Sequence, residues 1–332
     1  MEKIDFVIPW VDGSNPEWQA ELKKHYEGDV CKAGVSVRYR DWGTLHYWFR
    51  AVEKYAPWVN RIHLITWGEI PAWLKTEHPK LNIVRHEDYL PAEYLPTFSS
   101  HPIELNMHRI EGLAEQFVYF NDDCYLTAPV KPTDFFVDGL PCDSLEEQPL
   151  RLNRRDATIG VNSNAIIFLN QHFDKQACKK AHPDKWFSVR DPKTALKNLY
   201  LGRVHRRAFF GLNSHHLPQA YRKQTLEEVW KAEADWLHET SLRKFRNSED
   251  LNQYVFKYWQ LASGAFHPIN KMKDGYWCRG GSNIQRTCDT IRNKRYKYIC
   301  YNDSAGLDFE KNKELLLAAF HDALPEKSSF ER

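Results

Sequence analysis

The chain has 332 residues, 42% of them hydrophobic and 27% charged, an ordinary balance for a globular protein that buries a sizeable core as one large domain or two modest ones. A net charge of +2 gives no global field to attract nucleic acid, no run of eighteen apolar residues offers a membrane span, and the first residues lack the basic and apolar regions of a signal peptide. Seven cysteines (Cys31, Cys124, Cys142, Cys178, Cys278, Cys288, Cys300) form no C-x-x-C pair and are odd in number, which argues against zinc and against a disulfide framework and for reduced thiols in a cytosolic protein.

In chain order, residues 4–8 read as a buried strand that breaks at Pro9 and enters the turn-rich loop Trp10-Val11-Asp12-Gly13-Ser14. Residues 14–32 are polar and read as partly helical. Leu45, Trp48, Phe49, Val52 and Tyr55 recur at helical spacing, with Asp41 or Thr44 as cap and Ala56-Pro57 as stop. Residues 61–66 and 82–86 read as strands, with a short helix over 70–74 between them. After a loop at 95–101, residues 103–115 read as a helix leading into the apolar strand Phe117-Val118-Tyr119-Phe120. Residues 164–169 read as a further strand. Strands alternating with helices predict an α/β fold with a mostly parallel sheet.

Beyond about residue 172 the pattern turns helical. Leu226, Val229, Trp230, Trp236 and Leu237 share one face, and Leu251, Tyr254, Val255, Tyr258, Trp259 and Ala262 form a second stripe, capped by Ser248 and closed by Gly264. Both aromatic stripes read as core. Residues 296–300 read as a late strand, and a last helix over 310–324 stops at Pro325.

Chemistry concentrates at strand ends. Asn121-Asp122-Asp123 follows the apolar strand directly, and an open α/β sheet binds ligands beyond the carboxyl ends of its strands. Hard oxygen ligands there suit Mg²⁺ or Mn²⁺ shared with phosphates, while the same residue types also end ordinary turns. Asn302-Asp303 ends the late strand in the same way, and the two acidic clusters either meet at one metal or are unrelated turns. His216 in His215-His216-Leu217-Pro218 has the free pKa of a general base, and Arg246 offers a planar fork for phosphate; a structural histidine and a solvated helix end are the alternatives. Arg279-Gly280-Gly281-Ser282-Asn283 lacks the spacing of any phosphate loop.

Together these stretches resemble the Stealth family of sugar-1-phosphate transferases of microbial surface polysaccharides, related to the catalytic part of the animal N-acetylglucosamine-1-phosphotransferase. Ile8-Pro9-Trp10-Val11-Asp12-Gly13-Ser14 resembles the first conserved region. Arg38-Tyr39-Arg40-Asp41-Trp42-Gly43, Leu95-Pro96-Thr97-Phe98-Ser99-Ser100, Ile103-Glu104, His108-Arg109-Ile110-Glu111-Gly112-Leu113 and Asn121-Asp122-Asp123 resemble the second. His216-Leu217-Pro218 with Arg246-Asn247-Ser248-Glu249-Asp250, and Tyr301-Asn302-Asp303 with the terminal helix, resemble the third and fourth.

The resemblance implies a glycosyltransferase-A-like, Rossmann-like fold: an α/β core with the donor site over 1–172, a largely helical acceptor region over 173–290, and a last strand and helix over 291–332. It implies hexose-1-phosphate transfer from a UDP-sugar to a glycan or lipid-linked glycan, with a plain metal-dependent glycosyltransferase releasing UDP and an inactive glycan-binding protein as rivals. It further implies Mg²⁺ (or Mn²⁺) on Asp122, Asp123 and Asp303, and His216, Asp123, Arg246 and Asp303 as catalytic residues. Asp12, Gly13, Arg38, Arg40, Asp41, Asn121 and Asn302 would bind substrate. The expected setting is cytoplasmic, with no nucleic-acid partner and at most peripheral contact with the inner face of the plasma membrane.

Overall fold

A computed structural model of the chain describes residues 2–26, 35–150 and 159–332. Cys31 and the end of the polar stretch 14–32 lie outside the described residues; the other six cysteines are unpaired thiols.

A five-stranded sheet organises the molecule: β1 (Ile4–Trp10), β2 (Ile62–Thr66), β3 (Leu81–Arg85), β4 (Gln116–Tyr119) and β8 (Gln219–Arg222), in the order β3-β2-β1-β4-β8. The first four are parallel, and β8 runs antiparallel to β4 at the edge. This is the mostly parallel α/β sheet the alternating pattern predicts. Parallel strands are covered on both faces, so they read as continuous apolar runs. Alternation then divides the side chains. Phe6, Ile8, Val118 and Phe120 pack on one face with the helix Leu45–Tyr55, while Val7, Ile65, Phe117 and Tyr119 pack on the other with the helices Ile159–His172 and Tyr254–Ala262.

The remaining strands form two three-stranded sheets. In one, β11 (Tyr298–Tyr301) lies between β10 (Gly275–Cys278) and β5 (Cys124–Leu126); in the other, β7 (Leu140–Asp143) lies between β6 (Phe136–Val137) and β9 (His267–Pro268). The C-terminal segment after the helix Phe309–Ala323 folds back onto the helix Leu45–Tyr55. There Glu331 takes a bidentate ion pair from Arg50 at 2.8 and 2.7 Å, and Phe330 packs on Phe49.

Several expected elements differ. Residues 164–169 belong to the helix Ile159–His172, not to a strand, because a short apolar run has no period of its own; here Asn164 donates to the Ser248 and Asp250 carbonyls from the helix surface. The helix expected over 103–115 is Ser100–Leu105, and it ends where the Asn106 amide donates to the Pro102 carbonyl at 2.8 Å in place of the backbone. Residues 70–74 form turns that end in a bridge between Leu74 and Glu331. Ser248 does not cap the helix Tyr254–Ala262, but Gly264 does follow its end at φ +71°. The Leu226-to-Leu237 stripe is two helices, Lys223–Ala232 and Ala234–Leu242, broken at Glu233.

Candidate active site

The carboxyl ends of β1 and β4 share one rim, since the two strands pair in parallel from Ile4↔Gln116 to Val7↔Tyr119. The Trp10 loop and Asn121-Asp122-Asp123 therefore stand side by side. From Asp123 the chain turns into β5, which pairs with β11, and the Tyr301 amide donates to the Asp123 carbonyl at 3.0 Å. That pairing brings Asn302-Asp303 to the same place: Asn302 Nδ2 donates to Asp123 Oδ2 at 2.5 Å. The two strand-end clusters thus meet, 179 residues apart in sequence. Asp303 faces Arg40, which holds it through Nε at 2.8 Å and Nη2 at 2.5 Å while stacking 4.5 Å over the Phe309 ring.

These groups line a cavity of about 590 Å³ that also receives Arg38, Asp41, Glu104, Asn121, Asp122, His216, Arg246 and Tyr254. His216 lies just before the edge strand β8. Its Nε2 stands 3.5 Å from Asp123 Oδ1, its Nδ1 is 3.2 Å from the Tyr254 hydroxyl, and its ring packs against Trp277. Arg246 donates to the Ser100 hydroxyl at 2.9 Å from a loop braced by Asp250, which accepts from the Asn247 amide and pairs with His101 at 2.8 Å and Arg243 at 3.1 Å. Among the described residues no carboxylate pairs with Arg38 or Arg246, so both guanidinium groups face the cavity with their charge uncompensated.

Residues 2–24 match the family model of Stealth protein conserved region 1, and residues 38–142 that of conserved region 2. The chain is 39% identical over its full length to a capsular polysaccharide phosphotransferase WcwK of Streptococcus pneumoniae, covering 99% of that protein. It is 40% identical to the receptor polysaccharide phosphotransferase WefC of Streptococcus oralis, with all of both chains covered. The chain belongs to the Stealth family of polysaccharide phosphotransferases. An exopolysaccharide phosphotransferase, cps2G of Lactiplantibacillus plantarum, is 35% identical over 99% of this chain and 96% of that protein. Among solved structures, the galactosyltransferase LgtC in complex with donor and acceptor sugar analogs aligns over 95% of each chain at 10% identity and a TM-score of 0.39.

The electrostatics of this Stealth site are unbalanced in a definite way. Burial raises the pKa of Asp122, and the charges of Asp123 and Asp41 raise it further; burial and Asp12 do the same to Asp41. Asp122 opens to the cavity, yet protein surrounds it closely enough that like charges act on it strongly. No ion pair engages Asp41 or Asp122 among the described residues. Burial also opposes charge on Asp123 and on His216, but each offsets it for the other: the His216 ring lowers the Asp123 pKa, and Asp123 raises that of His216.

Surplus negative charge of this kind fits a divalent cation. The ligand atoms of Asp123, His216 and Cys300 lie within 4.8 Å of one another, forming a candidate metal group. Burial pushes the Cys300 thiol well above its ordinary pKa, so it remains protonated and a poor partner for a hard ion. Within that group the Asp123 carboxylate is the donor whose chemistry suits a hard ion.

Of the residues singled out in the sequence, Arg38, Arg40, Asp41, Asn121, Asp122, Asp123, His216, Arg246, Asn302 and Asp303 all line the cavity, whereas Asp12 and Gly13 do not. Asp12 caps its own loop by accepting from the Ser14 amide and hydroxyl at 2.8 and 2.6 Å. Gly13 donates to the Tyr39 carbonyl at 3.0 Å, and a Cβ at position 13 would stand 2.2 Å from that oxygen, so only glycine lets the loop brace the 38–41 segment. Three contributors carried no such assignment. Glu104 is buried, accepts from the Tyr119 hydroxyl and the Gln253 amide at 3.3 Å each, and sits in a quoted motif; Tyr254 lay in a stripe read as core; Trp277 had no signal at all.

The His216–Asp123 contact predicts a measurable titration. In metal-free protein, NMR of the His216 ring should give a pKa above the ordinary 6.5, and Asp123→Asn should lower it, because the carboxylate stabilises the charged ring. Identical midpoints in the two proteins would show that the carboxylate does not act on this histidine.

Proposed function

We propose that this protein transfers a hexose-1-phosphate, such as N-acetylglucosamine-1-phosphate, from a UDP-sugar to a hydroxyl of a glycan or lipid-linked glycan, releasing UMP and leaving a phosphodiester in a cell-surface polysaccharide. One observation carries the reading: a histidine–aspartate pair and two guanidinium groups that meet no carboxylate among the described residues line one cavity. The full-length relatives named capsular and receptor polysaccharide phosphotransferases support the same class of chemistry.

In this mechanism Arg38 and Arg246 bind the donor pyrophosphate, each able to offer two parallel N–H donors to phosphate oxygens. The acceptor hydroxyl attacks the phosphorus that bears the sugar. His216 removes its proton at Nε2, with Nδ1 oriented by the Tyr254 hydroxyl, and Asp123 stabilises the imidazolium that forms. The bridging P–O bond breaks and UMP departs with the electron pair. The sugar keeps its own anomeric oxygen, so its configuration is unchanged. A divalent cation such as Mg²⁺, held by Asp122 and Asp123, would neutralise charge on the phosphoryl oxygens. Arg40 fixes Asp303, and through it the 302–303 turn that orients Asp123. No helix among the described residues is long and apolar enough to cross a membrane.

Donor labelled on the phosphorus that bears the sugar decides the matter. The label is expected in the glycan, with UMP as the nucleotide product, and excess EDTA should stop transfer until Mg²⁺ is restored. Label found only in UDP would refute phosphotransfer and establish a plain glycosyltransferase.

A further inference from the structure

Charge is unevenly distributed along this chain. Residues 173–210 hold ten Lys and Arg against three Asp, whereas the other residues hold 36 Lys and Arg against 41 Asp and Glu. The same stretch supplies six of the nine large apolar side chains that are exposed among the described residues. Leu196, Leu199, Tyr200 and Val204 are four of these, and they fall at i, i+3, i+4 and i+8 of the helix Pro192–Val204, on one face.

That helix is inverted relative to an ordinary surface helix. Its buried side carries Asn198 and Gly202. Asn198 Nδ2 donates to the Leu145 and Trp186 carbonyls at 2.8 and 3.1 Å, and its Oδ1 accepts from the Glu147 amide at 2.8 Å. Polar bonds therefore anchor the helix to the body, and its apolar stripe faces outward, Leu196 and Tyr200 each at 68% exposure. Val189 precedes the stripe, and Phe210 continues it through its ring contact with His205. Lys180, Lys193, Arg203, Arg206 and Arg207 are exposed around it, and none of them enters an ion pair among the described residues.

We propose that this outward face of the helix Pro192–Val204, with its surrounding basic residues, docks the protein on an anionic lipid bilayer. An apolar stripe flanked by Lys and Arg is the composition an interfacial helix needs, since the stripe enters the acyl boundary while the cations meet lipid phosphates. A second copy of the chain is a poor occupant, because two such faces would bring like charge against like charge. A relay of contacts links the helix to the neighbourhood of the cavity. Lys197 pairs with Glu146, whose other oxygen is 3.6 Å from His215 Nε2, next to His216. Docking would hold the protein at the surface where a lipid-linked glycan lies; that last step rests on the function proposed above, while docking itself does not.

Flotation of the full chain with vesicles tests this. Binding is expected to vesicles of phosphatidylcholine with about 30% phosphatidylglycerol, much less to phosphatidylcholine alone, and it should fall as salt rises. Arg203→Ala/Arg206→Ala/Arg207→Ala should lower partitioning about a hundredfold. Leu196→Ser/Tyr200→Ser should lower it roughly tenfold or more, since two apolar side chains no longer enter the bilayer. Both variants should keep the thermal midpoint and the transfer rate to a soluble acceptor. A parent protein that stays unbound with anionic vesicles overturns the proposal without any variant. So do variants that bind like the parent, or a dimer in sedimentation that Leu196→Ser/Tyr200→Ser dissociates.

Discussion

His216→Ala should lower the rate of sugar-phosphate transfer by about 10²–10⁴-fold, the usual contribution of a positioned general base. Donor affinity measured by calorimetry should stay within roughly twofold, because the ring acts on the acceptor proton and not on the donor pyrophosphate. The geometry behind this is specific. The ring lines the cavity with Nε2 3.5 Å from Asp123 Oδ1 and Nδ1 3.2 Å from the Tyr254 hydroxyl, so Asp123 can stabilise the imidazolium that forms when the ring takes up the acceptor proton. Tyr254→Phe should give a smaller loss of the same kind, since it removes orientation but leaves the base. A His216→Ala protein that transfers at the parent rate would make this histidine structural and leave another group as base.

Asp143→Ala should destabilise the fold by about 3–5 kcal/mol, read from the urea midpoint, with the native spectrum retained at low temperature. Asp143 is fully buried, with Lys257 Nζ at 3.2 Å, Lys271 Nζ at 3.9 Å, and the Gln219 amide as a further donor. Burial opposes its charge, but the two lysines outweigh that and bring its pKa down to about 2; burial brings that of Lys271 down to about 8. Two ammonium groups thus share one carboxylate, and removing it leaves both buried without a counter-charge. Because the folded pKa is depressed, this stabilisation is present above the ordinary value of 3.8 and is lost as pH falls through about 2. Asp143→Leu/Lys257→Met/Lys271→Met should recover most of the loss, since apolar replacement of a whole buried ion cluster is often neutral. A loss below roughly 1 kcal/mol for Asp143→Ala would mean that water reaches the lysines. The cluster matters to the site because Gln219 opens β8, three residues after His216.

Much of the framework is legible in local pattern. The run 117–120 is apolar, and 4–8 is so except for Asp5, because parallel strands are covered on both faces; the first of these ends abruptly in polar residues where the sheet meets its cleft. Helical spacing from Leu45 to Tyr55 identifies the first crossover helix because its buried face recurs at the period of the backbone. Asn121, Asp122, Asp123, His216 and Arg246 stand out as residue types suited to metal, proton and phosphate, and the order of four long motifs identifies the family. The helix Ile159–His172 was not legible: its central Ala-Ile-Ile-Phe-Leu is apolar all round, and only burial between the sheet and the helix Tyr254–Ala262 decides its conformation.

By itself, then, the sequence determined β1 to β4, β11, the helices Leu45–Tyr55, Tyr254–Ala262 and Phe309–Ala323, and the chemical cast, because those depend on neighbours three or four residues away. Only the tertiary structure decided who meets whom. Asn302 reaches Asp123 because β11 pairs with β5, and Asp303 turns to Arg40 across the chain, so its role is set by a partner 263 residues distant. Glu104 enters the cavity because its helix ends early at Asn106. The stripe Leu196-Leu199-Tyr200-Val204 would be read as core from its period alone. It faces outward because the opposite side of the helix is the one bonded to the body, through Asn198 and its carbonyl and amide partners.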